Sequence, residues 1–251
     1  MEQPTLVVKR PGGAMASRPL DFLWLCDTSG SMAGARIEAL NFAIKDALPA
    51  MRDAASGHPQ ANVFVRALQF DDNARWMVEE RTPLERFSWR PLQAACGLTA
   101  MGAAFALVAK ELASPPFPQA YWPPVIVLIT DGHPTNGIRG LPDFDEGLKA
   151  LMGQGAGRHA VRIGIAIGDD ADLGTIARFI DNAAIPPLHA RTAGELVEFV
   201  RWTSTSSIAR SSAPRLEAKE VQEATFKPAP VHLGFHEGPA FWSEPLTNDE
   251  Q

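Results

Sequence analysis

Residues 21–32 of the chain read DFLWLCDTSGSM, an apolar run that ends in a series of small oxygen-bearing side chains. The apolar part, residues 21–26, is typical of a strand that is buried on both faces of a sheet. The polar part follows at once, and Gly30 relieves the backbone where the chain must turn. This stretch therefore predicts a buried strand that opens into a loop of candidate ligands.

A helix is predicted directly after this loop, because apolar residues recur at helical spacing and form one stripe. The stripe comprises Ile37, Leu40, Ile44, Leu48 and Met51. Pro49 should kink this helix or end it, because its ring clashes with the carbonyl of Lys45.

The same alternation of apolar strands and helical stripes continues along the chain. Further strands are predicted at residues 62–70, 125–130, 161–167 and 188–190, with an antiparallel edge strand at 75–79. Helices are predicted at about 101–112, 143–152, 172–180 and 193–205. This order predicts an α/β fold with a doubly wound, mostly parallel sheet, one antiparallel edge strand and helices on both faces.

The chain has 251 residues, of which 45% are hydrophobic, and this suits one domain with a packed core. We expect an N-terminal extension at 1–19 that holds a short edge strand at 5–9. The domain then covers 20–210, and a Pro-rich, flexible tail covers 211–251. The tail aromatics Phe235, Phe241 and Trp242 either dock on a partner, fold back on the domain or have no role.

Charge and hydropathy exclude several classes of protein. The formal net charge of −6 lacks the basic footprint of a nucleic-acid binder. The apolar runs are too short to span a bilayer, and the N-terminus does not resemble a secretory signal, so we expect a cytoplasmic protein. Two cysteines do not make a disulfide framework, and Cys26 is predicted to be a small buried hydrophobe.

Three loops carry short oxygen side chains at positions that one end of a parallel sheet can bring together. They are residues 27–32, residues 97–102 before a helix, and residues 130–132 after a buried strand. The candidate ligands are Asp27, Ser29, Ser31, Thr99 and Asp131. Oxygen ligands without His or Cys favour a hard cation over zinc or copper, and we expect Mg²⁺, with Mn²⁺ or Ca²⁺ as alternatives.

The charge of this ligand set predicts an open position for an outside anion. Two carboxylates barely neutralise a dication, so a protein partner's exposed Asp or Glu is the expected final ligand. We expect Gly30, Met32 and His133 to contact this partner. Simpler alternatives remain: Asp27 and Thr99 are also good helix caps, and His133 is also typical of a solvated loop. Asp71 and Asp72 are interpreted as a turn, and residues 169–172 as turn and helix-start residues.

The motif at 27–31, together with Thr99, Asp131 and the segments 67–71 and 129–132, resembles the metal-ion-dependent adhesion site of von Willebrand factor A domains. The resemblance covers residues 20–205 and implies that Asp27, Ser29 and Ser31 form the first metal loop, with Asp27 acting through water. It also implies that Thr99 and Asp131 supply the second and third loops. The stretch 101–105 is similar to bacterial TerY-like proteins, which implies a Ser/Thr kinase or PP2C-type phosphatase as partner in a stress-response system.

Two other functions compete with that of a metal-dependent binding module. The first is an adaptor subunit of an ATP-driven machine, which would share the metal site. The second is a metal-dependent hydrolase. Against an enzyme, the sequence has no phosphate-cradling Gly-rich loop, no Gly-x-Ser-x-Gly elbow and no evident general base. We therefore expect no turnover.

Overall fold

The computed structural model describes residues 18–58, 61–95, 97–113 and 122–211. The strand predicted at 5–9, Cys96 and the aromatic residues of the tail lie outside these ranges. Within the described residues, seven strands form one sheet. They are β1 Arg18–Asp27, β2 Ala61–Phe70, β3 Ala74–Trp76, β4 Thr82–Pro83, β5 Val125–Thr130, β6 Val161–Ile167 and β7 Leu188–Ala190.

The strand order is β3-β2-β1-β5-β6-β7, and β4 also pairs with β2. The pairs that β1 makes with β2 and β5 are parallel, as are β5–β6 and β6–β7. At the other edge, β3 and β4 run antiparallel to β2. The predicted mostly parallel α/β sheet is confirmed. Its antiparallel edge, however, holds two very short strands in place of the single strand predicted at 75–79.

Six helices among the described residues surround the sheet. They are α1 Ala35–Ser56, α2 Met101–Ala113, α3 Phe144–Gly153, α4 Gly155–His159, α5 Leu173–Ile180 and α6 Ala193–Ser211. None of them is long and apolar enough to cross a membrane. The short α4 was not predicted, and α6 extends past the predicted end at 205.

The alternating side chains of β1 supply a hydrophobic core on each face of the sheet. Phe22 and Trp24 are fully buried in a cluster with residues of α1 and α6, such as Leu40 and Val200. Leu23 and Leu25 point to the opposite face. Their cluster includes Phe105 of α2, Phe144 of α3 and Phe179 of α5. Helices therefore cover both faces, as predicted. Cys26 is also fully buried, which confirms the prediction for this residue.

Pro49 does not end α1, so of the two predicted outcomes, a kink or an end, the end is ruled out. The helix continues through Pro49 to Ser56, and Pro49 itself is exposed. The residues that follow keep their places in the apolar stripe, because Met51 and Ala55 are buried. Tertiary burial of this last part of the helix overrides the local cost of the proline.

Candidate functional site

The three predicted loops meet at one edge of the sheet and are joined by backbone hydrogen bonds. Gly30 N donates to Gly97 O at 3.1 Å, which connects the loop after β1 with the loop before α2. Thr135 N donates to Thr99 O at 2.9 Å, which connects the loop after β5 with the loop before α2. Because β1 and β5 are adjacent parallel strands, their carboxyl ends lie side by side at this edge.

Asp27, the last residue of β1, is fully buried and held by two hydrogen bonds. Its Oδ1 accepts from Ser29 N at 2.8 Å, and its Oδ2 accepts from the Thr130 hydroxyl at 2.6 Å. Desolvation raises the pKa of Asp27 to about 6, although these hydrogen bonds oppose the rise, and the charge of Asp131 adds to it. A cation placed nearby would favour the ionised form of this carboxyl group.

The two serines of the first loop present their hydroxyl groups together. Ser29 Oγ lies 3.1 Å from Ser31 Oγ; Ser29 is buried, whereas Ser31 is exposed. A short 3-10 turn at Gly30–Met32 produces this arrangement, and its N-cap Ser29 makes no side-chain cap bond. α1 begins only after Gly34. Asp27 therefore does not cap the helix that follows, which removes that simpler alternative.

Asp131 supplies the most direct indication of a cation site. The residue is fully buried, and its Oδ2 has no hydrogen-bond partner among the described residues. Its Oδ1 accepts a long bond of 3.4 Å from His133 N. Arg36 Nη1 lies 3.5 Å from Oδ2, close enough for an ion pair but not for a hydrogen bond with good geometry. A buried carboxylate oxygen is costly when it is left without a partner.

Thr99 is buried in the second loop, two residues before α2. Thr135 accepts a bond from Thr99 N at its hydroxyl, with a length of 3.2 Å. The first turn of α2 is pressed against the start of α3, since a Cβ at Gly102 would lie 2.0 Å from Asp143 O. This close approach of two backbones fixes where α2 begins, and with it the position of Thr99.

The residues predicted to contact a partner have different environments. Gly30 and His133 are exposed, and His133 Nε2 lies 2.7 Å from Asp170 O. Met32 is fully buried among core residues, so its side chain is not available at the surface. The expectation of a partner contact through Met32 is therefore corrected: its thioether fills the core beneath the loop.

Several supporting residues were not identified from the sequence, or only in part. Thr130 and Thr135 were not singled out, although each bonds to another loop of the site. Asp71 does form the predicted turn, because its N–H donates to Asn73 O. It is also buried and accepts from Thr28 Oγ1. Burial alone would raise the pKa of Asp71, but hydrogen bonds, chiefly from Arg75, hold it below its usual value.

The chemistry of the candidate ligand set is that of a hydroxyl-rich oxygen site. The described residues contain no group of three or more His, Cys, Asp or Glu side chains that could hold a metal. The converging loops instead offer two carboxylates and three hydroxyl-bearing residues. Such a set fits a hard divalent cation such as Mg²⁺ better than zinc or copper.

A groove of about 550 Å³ lies next to the first loop. Among its lining residues are Gln69, Arg75, Arg90 and Ala95. Its position beside the site follows from two contacts: Ala95 N donates to Thr28 O at 2.7 Å, and Gln69 pairs with Cys26 in the sheet. Arg75 and Arg90 are both exposed in this groove, and Arg75 forms an ion pair with Asp71 at 2.8 Å.

Solved structures resemble this fold at low sequence identity. A von Willebrand factor type A protein from Catenulispora acidiphila has a TM-score of 0.54 and 18% identity, over 78% of this chain and 43% of that chain. The pilus adhesin SpaC from Lactobacillus rhamnosus GG has a TM-score of 0.56 and 16% identity, over 77% of this chain and 30% of that chain. A third structure is that of proximal thread matrix protein 1 from the mussel byssus, with a zinc-occupied metal-ion-dependent adhesion site. It has a TM-score of 0.51 and 14% identity, over 77% of this chain and 46% of that chain.

These similarities establish the fold, which is the von Willebrand factor A fold. The chain spans less than half of each of these three proteins. No family model matches the sequence, and no curated protein matches it.

Proposed function

We propose that this chain is a von Willebrand factor A protein whose metal-ion-dependent adhesion site binds a divalent cation and captures an acidic side chain of a protein partner. The observation that carries the proposal is the buried Asp131 carboxylate, whose Oδ2 has no hydrogen-bond partner among the described residues. It lies in one of three loops that hydrogen bonds connect at the carboxyl edge of the sheet. A cation at this point would bind this oxygen, which otherwise has only the ion pair of 3.5 Å with Arg36 among the described residues.

The residues that would hold the cation are those predicted from the sequence: Asp27, Ser29, Ser31, Thr99 and Asp131. When bound, the cation supplies a concentrated positive charge that attracts a carboxylate from outside. The chain itself keeps Asp27 in place through Ser29 and Thr130. Mg²⁺ is the cation we propose, and Mn²⁺ and Ca²⁺ are the alternatives to compare with it.

The surroundings of the site support an acidic protein partner. Exposed Gly30 and His133 flank the candidate ligands, and the neighbouring groove carries Arg75 and Arg90. Arg75 is paired with Asp71, so Arg90 is the cation beside the site that attracts a partner surface with further acids around the one that reaches the metal. The proposal predicts that Arg90→Glu weakens partner binding, while metal binding stays unchanged.

The cation part of the proposal is tested by titration calorimetry of the full chain with MgCl₂, MnCl₂, CaCl₂ and ZnCl₂. We expect wild type to bind Mg²⁺ and Asp131→Asn to lose most of that affinity, because a buried anionic ligand is removed. Asp53→Asn is the matched control, since it makes the same change at an exposed position of α1. Absence of divalent-cation binding by wild type would overturn the proposal.

The partner part is tested separately, because the resemblance to TerY-like proteins names a candidate. We propose that the partner is a Ser/Thr kinase or a PP2C-type phosphatase encoded beside this chain. Co-purification should depend on Mg²⁺ and be lost with a chelator and in Asp131→Asn. Equal recovery in all three conditions would rule out metal-dependent capture.

The proposed role is non-catalytic. Neither phosphate esters nor peptides should turn over when incubated with the Mg²⁺-loaded protein. Turnover that disappears in Asp131→Asn would instead favour a metal-dependent hydrolase.

A further inference from the structure

Arg36 connects the candidate metal site with the loop after β6, the strand next to β5 in the sheet. It is the second residue of α1, and its side chain is 13% exposed. Its Nη2 lies 2.6 Å from Asp170 Oδ1, in the loop after β6. Its Nη1 donates to Ser31 O at 3.4 Å and lies 3.5 Å from Asp131 Oδ2.

Local helix chemistry does not explain a cation at this position. The N-terminal end of a helix carries partial positive charge, which disfavours Arg in the first turn. The carboxylates of Asp131 and Asp170 compensate for this cost, and both are far from Arg36 in sequence. The placement of Arg36 is therefore a property of the folded site.

The guanidinium group of Arg36 lies in space that is open because residue 168 is a glycine. Gly168 follows β6 with φ +91°, and a Cβ there would lie 2.7 Å from Arg36 Nη2. A side chain at position 168 would force the guanidinium group or the Asp170 carboxylate to shift, because its Cβ would also lie 2.7 Å from Asp170 Oδ1. Gly168 itself is fixed, because its N–H donates to Ala190 O at 3.0 Å. Arg36 is thus a partly buried cation held beside the third loop of the candidate site.

From these contacts we infer that Arg36 is an internal counter-cation of the metal site, which pairs with Asp131 when no metal is bound and must give up that carboxylate to the metal. The inference rests on the proposed function, because it assigns Arg36 a role toward the proposed cation. A guanidinium group and a dication beside one carboxylate repel each other. Arg36 therefore keeps Asp131 in place in the metal-free protein, and it lowers the affinity for the metal.

Charge counting gives this arrangement a consequence for the partner. The two buried carboxylates, Asp27 and Asp131, carry two negative charges, whereas a dication and Arg36 carry three positive ones. The carboxylate of Asp170 pairs with Arg36 at 2.6 Å and adds a third negative charge, so the loaded site is neutral. Without Arg36 the loaded site would carry one negative charge in excess, which would repel a partner carboxylate. Arg36 thereby lowers the affinity for the metal but favours the capture of an acidic ligand by the loaded site.

The test compares Arg36→Gln with wild type in the full chain, with Arg86→Gln as the matched control. Arg86 is exposed on the segment after β4, which pairs with the first half of β2, away from the carboxyl edge. We expect Arg36→Gln to bind Mg²⁺ at least about fivefold more tightly by calorimetry. In chelator, its thermal midpoint should fall by about 2–4 °C, as expected for one lost interaction in a domain of this size. Arg86→Gln should change neither quantity.

Unchanged or weaker Mg²⁺ binding by Arg36→Gln would overturn the inference while leaving the proposed function intact. If wild type binds no divalent cation, the proposed function fails, and a metal-free double-mutant cycle still decides the role of Arg36. Thermal midpoints of Arg36→Gln, Asp131→Asn and the double variant, all in chelator, should then be non-additive. Additive shifts would show that Arg36 does not pair with Asp131. Arg36→Lys, which keeps the charge, should lie closer to wild type in both measurements.

Discussion

Thr130 on β5 donates its hydroxyl hydrogen to Asp27 on β1, and 2.6 Å separates Thr130 Oγ1 from Asp27 Oδ2. Both residues are fully buried. The same hydroxyl oxygen accepts from Gly132 N at 2.9 Å. One small side chain therefore ties the first loop of the candidate site to the third and satisfies a backbone donor within the third loop.

Thr130→Val should lower the free energy of unfolding by about 1–3 kcal/mol, because it leaves a buried carboxylate oxygen and a buried N–H without this partner. Thr130→Ser keeps the hydroxyl group and should recover most of the loss. Urea denaturation in the presence of chelator measures both. Equal stabilities of the Val and Ser variants would show that the hydroxyl group is not what matters at this position.

Gly102→Ala should disturb the second loop through the packing of α2 on α3. The added methyl group would lie 2.0 Å from the backbone oxygen of Asp143, which cannot rotate away as a side chain can. We expect a loss of about 1–3 kcal/mol in the free energy of unfolding. Since α2 must move and Thr99 lies just before it, Mg²⁺ affinity should also fall.

Gly153→Ala is the control for this prediction, because nothing lies within 4 Å of a Cβ at Gly153, the last residue of α3. It should leave stability unchanged or raise it slightly through helix propensity. If Gly102→Ala and Gly153→Ala behave alike in denaturation, the contact between α2 and α3 is looser than the structure indicates.

Asp172 should make a pH-dependent contribution to stability as the N-cap of α5. Its Oδ2 accepts from the Thr175 hydroxyl at 2.6 Å and its Oδ1 from Thr175 N at 3.1 Å. The hydroxyl bond first, and the N–H bond second, hold the pKa of Asp172 below its usual value. A group with a lowered folded pKa stabilises the protein above its unfolded pKa of about 3.9, and this contribution is lost as the pH falls through the folded pKa.

Asp172→Ala should therefore cost about 1 kcal/mol at pH 7, and its difference from wild type should shrink as the pH falls below about 4. Asp172→Asn keeps one acceptor oxygen but does not titrate. Its difference from Asp172→Ala should stay constant with pH. Denaturation curves at pH 7, 5 and 3.5 measure these differences, and a gap between wild type and Asp172→Ala that widens in acid would contradict the assignment.

Pro49→Ala should stabilise the protein by about 1–3 kcal/mol, because proline inside a helix removes a backbone donor and clashes with the preceding turn. Part of the gain is offset, since alanine makes the unfolded chain more flexible. Lys45→Ala, at another exposed position of α1, should change stability by less than about 0.5 kcal/mol. If Pro49→Ala shows no gain in thermal or urea denaturation, α1 accommodates the proline without cost.

The parts of the fold that the sequence predicted are those with a regular apolar period. β1 and β5 are nearly continuous apolar runs, and both lie at the centre of the sheet with helices on each side. The end of α6 was missed because its buried face is largely polar near the predicted end: Thr203, Ser204 and Ser207 are buried, and Ile208 is the one large apolar residue in 203–209. Ser204 satisfies its hydroxyl group at the carbonyl of Val200, 2.6 Å away. Hydropathy alone does not identify such a face.

The residues of the candidate site also fall into those that the sequence predicted and those that it did not. The five ligand positions stood in compact motifs, each within a few residues of the end of an element. Arg36 had no such signal, because its carboxylate partners Asp131 and Asp170 are brought to it only by folding. Met32 was misassigned for a related reason. Its place in the loop sequence does not show whether its side chain points to the surface or into the core.

The loops of the site are tied together by peptide groups, as in the bond from Gly30 N to Gly97 O and the bond from Asp172 N to Asp131 O at 2.8 Å. A substitution deletes such a bond directly only when it introduces proline, which has no backbone N–H. Most exchanges of the candidate ligands would therefore keep these backbone hydrogen bonds even where metal binding is lost, although an exchange of Asp27 would also remove its bond to Thr130. Descendants of such a chain would keep the arrangement of the three loops and could use it to bind a different ligand.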